Sequence, residues 1–580
     1  MSIYKERIKK LQELIKFNDL DFYIVLSSDP HASEYLPDFY KTRAKLSGFS
    51  GSAGTLIVSQ NEAFLFTDGR YFLQASKQLE GSDIKLCKTA DYFSFLSDYK
   101  NAKIGIDYSV LMHNIYLKLS DNFNLVNIDL ASEILENSEI ITNEIYKQDD
   151  KFISLSASEK ILKIKKIMRE KNINHHIISS LDDIAYITNL RGSDVLYNPV
   201  FLSYLIISDD NCVLFVNEKK LNSNVKIYLQ NQGIIVKDYC EILNYSNCLN
   251  GNILLDYEKT STKLALNLQG NLINDINPSV FLKSCKNEIE IENIKQAHIQ
   301  DGVALVRFFM DFEKRIGSGE KLNECDIDTL ITNERAKHNL YISNSFSTIA
   351  GFNENAALPH YRAIKGSAKQ ISKDGILLID SGAQYQNGTT DITRVIAIGK
   401  VSDEVVNDYT LVLKSHIAMS SLIHKEDVLM PLLDVMARSI LWEKGLDYMH
   451  GTGHGVGYFL NVHEGPQVLS YLTNIHMKMK VKKGMLTSIE PGLYKYNQYG
   501  IRLENLVLSM PYLSTEYGEF LKFESVTLYP FELNLINLNM LDEKEKLWLN
   551  SYHEKVFKTL SPYLNDNEKY WLENKTKKIN

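Results

Sequence analysis

The chain has 580 residues, 44% of them apolar, and its 64 Lys and Arg against 72 Asp and Glu give a net charge of −8. That length has room for several domains, and the dispersed basic residues exclude a nucleic-acid footprint. No stretch approaches a membrane span, and Cys87, Cys212, Cys240, Cys248, Cys285 and Cys325 are scattered without a CxxC, as expected of reduced thiols in a cytoplasmic protein.

The opening segment, MSIYKERIKKLQELIKF, lacks the continuous apolar run of a signal peptide. Ile3, Ile8, Leu11 and Ile15 instead fall on one helix face. A strand over Phe22–Ser27 follows, then a loop with His31, Ser33 and Glu34. Gly48, Gly51 and Gly54 come next, then strands Thr55–Val58 and Ala63–Thr67 and the turn Asp68-Gly69-Arg70-Tyr71. Helix and strand alternate, which makes this region α/β. From about Lys151 the pattern recurs. FYIVLSS (22–28) is echoed by HHIISSL (175–181), GFSGSAG (48–54) by NLRGSD (189–194), and TLIVSQNEAFLFTDGR (55–70) by YLIISDDNCVLFVNEK (204–219). The echo predicts two domains built on one plan. Neither carries GxGxxG after a strand, so no phosphate cradle is expected. Arg191, Asp194 and Tyr197 lie in a loop whose polar side chains are expected to be solvated.

A third region begins near Lys286. A helix is predicted over Glu288–Arg315, with Ile294, Ala297, Val303, Leu305, Val306 and Phe309 inward. A second helix is predicted over Glu324–Lys337, a strand over Phe346–Gly351, and a loop over Asn353–Pro359 closed by His360. Lys373–Val395, KDGILLIDSGAQYQNGTTDITRV, then reads as two antiparallel strands joined by a Gly-bearing turn. Two registers fit. A tight turn at Asn387–Gly388 pairs Asp391 with Gln384 and leaves Asp380 roughly 13 Å away at strand rise. A loop centred on Tyr385–Gln386 sets Asp380 opposite Asp391, where two desolvated carboxylates demand a proton or a cation between them.

Helices over Asp403–Ser420 and Leu429–Lys444 are expected to cover a sheet face. His450-Gly-Thr-Gly-His454-Gly-Val-Gly follows; its glycines let the backbone pass close to a ligand, and no Lys-Ser/Thr follows to make a phosphate loop. His463 comes nine residues after His454, and Glu464, before Gly-Pro, reads as a surface turn residue. Strands over Met485–Ile489 and Ile501–Leu508 carry Glu490 and Glu504, which repeat the order carboxylate, Gly-bearing turn, carboxylate. Asp380, Asp391, Glu490, Glu504 and a histidine form an oxygen-rich donor set. It suits hard or borderline divalent ions such as Mn2+ rather than a thiolate zinc site, and two such ions balance the carboxylate charges. Arg502 shares a strand face with Glu504, where it either bonds a ligand carboxylate or makes a surface ion pair. After Phe531 a helix is predicted over Leu541–Leu564, and the basic tail NKTKKIN is expected to fray.

Taken in order, GFSGSAGTLIV, FTDGRYFLQA, NLRGSDVLYNPVF, LPHYR, LLIDSGAQY, TDITR, HGTGHGVG, VHEGP, SIEPGLY and GIRLEN resemble the three-domain Xaa-Pro aminopeptidases of the pita-bread metallopeptidase family nearly end to end. The resemblance implies a mixed α/β and α+β protein. Two related creatinase-like α/β domains, 1–148 and 149–285, precede a pita-bread catalytic domain, 286–530, and a C-terminal helical extension, 531–580. It implies that Asp380, Asp391, His454, Glu490 and Glu504 hold two divalent metal ions, with Mn2+ favoured. His360, His450 and His463 would attend the scissile bond, Glu490 would take a proton from a metal-bridging hydroxide, and Arg502 would back the ligands. Asp68-Gly69-Arg70-Tyr71 would be structural or lie at a subunit contact. The implied reaction removes an N-terminal residue that precedes proline, with Tyr361, Tyr494 and Phe352 as candidates for the proline pocket. A homodimer and a cytoplasmic location come with the resemblance. The alternatives are a prolidase, cleaving only Xaa-Pro dipeptides, and a catalytically silent peptide-binding relative.

Overall fold

The computed structural model describes residues 3–69, 71–135, 143–366, 368–371 and 374–580. Arg70 of the early turn and Lys373 at the start of the hairpin stretch lie outside them. The chain forms two compact units, Met1–Lys147 with Leu155–Ser279, and Gln148–Ser154 with Val280–Asn580.

The first unit holds two six-stranded sheets with one topology. In each, a central strand (Phe22–Val25 or His175–Ile178) has an antiparallel neighbour on one side and parallel strands on the other. The echoed segments superpose in register: Thr55 pairs with Phe66 as Tyr204 pairs with Phe215. Even a side-chain bond repeats. Tyr108 N donates to Asn127 Oδ1 at 3.1 Å, and Tyr257 N to Asn274 Oδ1 at 3.1 Å. The duplication expected from the sequence is therefore real. The loop expected to be solvated is not: Arg191 and Asp194 are buried, and Lys220 Nζ meets Asp194 Oδ2 at 2.5 Å. Burial of both charges turns what looked like a surface loop into an internal strut.

The second unit opens with helix Glu288–Gly317. Asn287 caps it by accepting from Ile289 N and Glu290 N, and Glu290 answers in a capping box. Ile294, Ala297, Val303, Leu305, Val306 and Phe309 face inward as predicted. Phe308, Phe309 and Phe312 pack with Leu377, Ile379, Val395, Tyr409 and Leu413 beneath the sheet of Ile349–Phe352, Gly375–Ser381 and Ile392–Ile398. A six-stranded sheet, containing Gly453–Gly455, Glu464–Leu469, Leu486–Ile489 and Asn505–Thr515, stands beside it. Helices Glu543–Leu560 and Asp566–Lys575 bury Leu549, Tyr552, Val556, Leu560 and Leu572 in the same core. The extension is thus part of the second unit's packing. Its tail does not fray: Ile579 N donates to Asn550 Oδ1 at 2.9 Å, and Lys575 Nζ meets Glu313 Oε1 at 2.6 Å.

Candidate metal centre

The hairpin around Asp380 takes neither register foreseen. Asp380 pairs with Thr393, Ser381 with Ile392 and Gln384 with Thr389. The two-residue turn is therefore Gln386–Asn387, between the alternatives, and Asp391 lies across from Gly382. Asp380 and Asp391 become diagonal neighbours on one face, a spacing that keeps like charges from standing head-on. Only glycine fits at 382, because a Cβ there would fall 2.1 Å from Thr390 O and 2.2 Å from Ser345 Oγ.

The second pair arrives on a different ladder. Ile489 pairs with Asn505 and Gly492 with Arg502, so Glu490 and Glu504 stand across from each other. Thr393 stitches the two hairpins together: Glu504 N donates to Thr393 O at 3.2 Å, and Thr393 Oγ1 donates to Glu504 Oε2 at 2.8 Å. His454 comes from the strand Gly453–Gly455, which lies between Leu486–Ile489 and the edge strand Glu464–Leu469. Its Nδ1–H donates to Gly455 O at 2.9 Å, which fixes the tautomer and turns Nε2 toward the acids. Nε2 lies 3.6 Å from Asp391 Oδ2 and 3.5 Å from Glu490 Oε1. Ligand atoms of Asp391, His454 and Glu504 all fall within 4.8 Å of one another.

Burial is the dominant electrostatic fact. It holds Asp391 well above the usual carboxylate range, with Glu504, Asp380 and Glu490 adding repulsion. It does the same to Glu504, reinforced by Glu490 and Asp380. Glu490 rises to about 7, by burial first, against the pull of Arg502. Asp380 Oδ1 is buried with no hydrogen-bond partner among the described residues. Buried acids that repel one another, with one oxygen left unsatisfied, are the electrostatic signature of a cation site. The donor set of Asp380, Asp391, His454, Glu490 and Glu504 is therefore one that could hold divalent ions.

Arg502 settles its two readings: its side chain is 4% exposed and Nη2 donates to Asp380 Oδ2 at 2.6 Å, so it is not a surface pair. Nη1 donates to Tyr494 OH at 2.8 Å and Nε to Thr393 Oγ1 at 3.2 Å. Burial opposes its charge, but Tyr494, Asp380 and Glu490 outweigh that and hold it protonated. His450 joins the same chain. Its Nδ1–H donates to Gly451 O at 2.7 Å, leaving Nε2 to accept from Tyr494 OH at 2.8 Å. Burial, aided by Arg502, lowers His450 to about 3, so it stays neutral. His463 is exposed, with its ring centroid 4.3 Å from that of His454 and nearly perpendicular to it. His360 is half-buried, and its charge adds to the lowering of His450.

The three pocket candidates fall in different surroundings. Phe352 is fully buried in the core, and Tyr361 OH donates to Glu324 Oε2 at 2.8 Å. Tyr494 alone of the three meets the histidine and arginine. Sequence reading also missed what carries His450. Arg438 Nη2 donates to His450 O at 2.6 Å, and Asp434 accepts from Arg438 Nε at 2.8 Å and from Thr452 Oγ1. The Asp434/Arg438 spacing on a helix was the available signal, but such pairs are ordinarily solvated. Glu464 was misread as a surface turn residue. It is buried, and Lys286 Nζ meets its Oε1 at 2.6 Å.

Comparison with known proteins bears on this geometry. A model of metallopeptidase family M24 matches residues 292–509, and a C-terminal region of the same peptidases matches 519–579. Creatinase/prolidase N-terminal domains match 7–137 and 136–290. The chain is 35% identical to a probable Xaa-Pro aminopeptidase P of Coprinopsis cinerea over 99% of its length and 98% of the relative's. It is 36% identical to Xaa-Pro aminopeptidase 1 of Dictyostelium discoideum over 99% and 96%. The crystal structure of X-prolyl aminopeptidase from Caenorhabditis elegans, described as a cytosolic enzyme with a di-nuclear active site, matches at a TM-score of 0.95 and 29% identity, covering 100% of both chains. Prolidase from Pyrococcus horikoshii, at 23% identity and a TM-score of 0.51 over 65% of this chain and 99% of its own, shares the fold.

Proposed function

The chain belongs to metallopeptidase family M24, and from that membership we propose that it is a metal-dependent Xaa-Pro aminopeptidase, hydrolysing the bond between an N-terminal residue and a penultimate proline. The observation that carries the reading is the convergence of Asp391, His454 and Glu504 within 4.8 Å, in a chain similar along its whole length to proteins named for that activity. The four-part division at 148, 285 and 530 is proposed with it, supported by the family segments matched.

Asp380, Asp391, His454, Glu490 and Glu504 are the residues assigned to hold two divalent ions, with Mn2+ favoured by the carboxylate-rich donor set. When bound, such ions activate water as a nucleophile and polarise the scissile carbonyl. The protein's own groups do the rest. Arg502 donates to Asp380 Oδ2 and holds that carboxylate in place. Glu490, with a carboxyl near neutral pH before metal loading, is suited to accept a proton. His463, exposed above His454, is assigned to donate to the carbonyl oxygen, and His360 to attend the substrate from the opposite loop. His450 has both ring nitrogens bonded inside the protein. Its assigned role is to present a neutral, rigid face to the substrate and to hold Tyr494. An Xaa-Pro amide has no N–H, so this site needs no backbone acceptor for the scissile nitrogen.

A homodimer is proposed on the strength of Leu432, Val435, Met436 and Trp442, which leave apolar side chains exposed along one helix. A cytoplasmic location is supported by six free cysteines. No helix among the described residues is long and apolar enough to cross a membrane. The test is release of the N-terminal residue from an Xaa-Pro-Xaa tripeptide by metal-stripped protein, with Mn2+, Co2+ or Zn2+ returned, beside Asp391→Asn. Metal-dependent release that the variant lacks is expected. Turnover of dipeptides alone would make it a prolidase, and silence with every metal a peptide-binding relative.

A further inference from the structure

One of the buried charged pairs borders two histidines of the site. Lys286 and Glu464 have side chains 0% and 1% exposed, with Nζ 2.6 Å from Oε1. Desolvating an ammonium and a carboxylate costs several kcal/mol each, and apolar residues of similar size generally do as well for stability. Stability alone therefore does not account for the pair. Its placement does.

Lys286 is pinned at its backbone: its N donates to Gly484 O at 3.0 Å, and Cys285 bridges Met485. Gly484 sits at φ +82°, and a Cβ there would fall 2.3 Å from Lys286 O, so the two segments are in backbone contact. That segment leads directly into Leu486–Ile489 and Glu490. From this fixed base the ammonium reaches the residue that follows His463. Glu464 in turn pairs with Gly455, the residue that follows His454, across a bulge in the ladder. A Cβ on Gly455 would fall 2.1 Å from Glu464 O, and one on Gly457 would fall 3.1 Å from Glu464 Oε2. The carboxylate thus runs beneath the turn that leaves His454, and the lysine holds it there.

We propose that Lys286 and Glu464 are a positioning pair for the Xaa-Pro peptidase reaction, a buried latch that sets His463 over His454. The proposal rests on the aminopeptidase reading. His463 is otherwise exposed, and a charge-assisted bond one residue away supplies direction that apolar packing lacks. A misplacement of about 1 Å at such a site can cost about 10²-fold in rate.

The experiment removes both charges at once. Lys286→Met alone strands a buried carboxylate and is expected to unfold the protein more readily. The double variant Lys286→Met/Glu464→Leu leaves neither charge of the pair unmatched and is expected to keep the wild-type melting temperature and metal content. Its kcat on an Xaa-Pro-Xaa tripeptide is expected to fall about 10-fold or more, with KM within about 2-fold. Wild-type kcat in the stable double variant would overturn the proposal, and so would loss of bound metal, which would place the latch under His454 instead. A second readout does not need turnover: the NMR signal of the His463 ring, identified by its loss in His463→Asn. The signal is expected to move in the double variant, because the perpendicular His454 ring shifts it in the wild type. An unmoved signal also overturns the latch. A wild-type protein with that signal but no peptidase activity would instead refute the aminopeptidase reading.

Discussion

The Asp380–Asp391 and Glu490–Glu504 hairpins are written alike in the sequence and fold differently. Both run from a carboxylate through a Gly-bearing turn to a second carboxylate. In the glutamate hairpin the register of Ile489–Asn505 is kept at Gly492–Arg502 across a gap between two sheets, which leaves the two acids face to face. In the aspartate hairpin Asp380 faces Thr393 and Asp391 faces Gly382, so the acids are offset by a diagonal. The offset frees the position opposite Asp380 for Thr393, whose hydroxyl and carbonyl both bind Glu504. One hairpin supplies opposed charges; the other supplies the stitch that holds the two together. A site of this kind is made by two ladders that differ, since two identical ones would leave no uncharged residue to join them.

Removing one acid from either hairpin breaks the arrangement most completely. Asp391→Asn and Glu504→Gln are each expected to lower kcat/KM about 10³-fold or more, as for members of an interdependent catalytic set, with metal content per chain as the companion measurement. Arg502→Lys comes next. Lysine cannot reproduce the fork that spans Asp380, Tyr494 and Thr393, and a loss of about 10- to 100-fold in metal affinity or activity is expected. The turn glycines sharpen the contrast. Gly382→Ala drives a Cβ into backbone at 2.1 Å, whereas Gly492→Ala meets only the Tyr494 ring and hydroxyl, 2.7 Å away. The first is expected to cost about 1–3 kcal/mol in thermal unfolding. The second should spare stability and appear in kcat, through the displaced tyrosine.

The smallest effect is on pH. Glu490 rises from its ordinary value to about 7 in the metal-free protein. The folded state then binds a proton that the unfolded state has released. The stability this contributes is present below about pH 4.5 and is lost as pH rises through about 7. Asp391 and Glu504 push in the same direction. Buried His416, His450 and His553, each lowered to about 3, act oppositely by costing stability as pH falls below about 6.5. The difference in melting temperature between metal-free wild type and Glu490→Gln isolates the carboxylate, and the wild type should fall relative to the variant as pH rises from 5 to 8. Returning Mn2+ should raise the wild-type melting temperature most at the upper end.

Much of this molecule was legible before folding. Residue order and spacing gave the duplication, because a strand pattern of period two survives copying: Thr55 and Tyr204 occupy equivalent rungs. The long helix was legible from its apolar spacing, and the five proposed ligands were reached through the family resemblance that their flanking motifs carry. The registers were not legible. A hairpin's turn is chosen among neighbours that differ by one residue, and the register adopted here places Gly382 where Thr390, Ser345 and Phe346 leave no room for a Cβ. Nor could the sequence show which charges are buried. Asp194 and Glu464 both read as solvent-facing, yet each is buried against a lysine distant in the chain, Lys220 and Lys286. Local sequence sets periodicity and donor chemistry; register and burial are settled by what the rest of the chain brings against them.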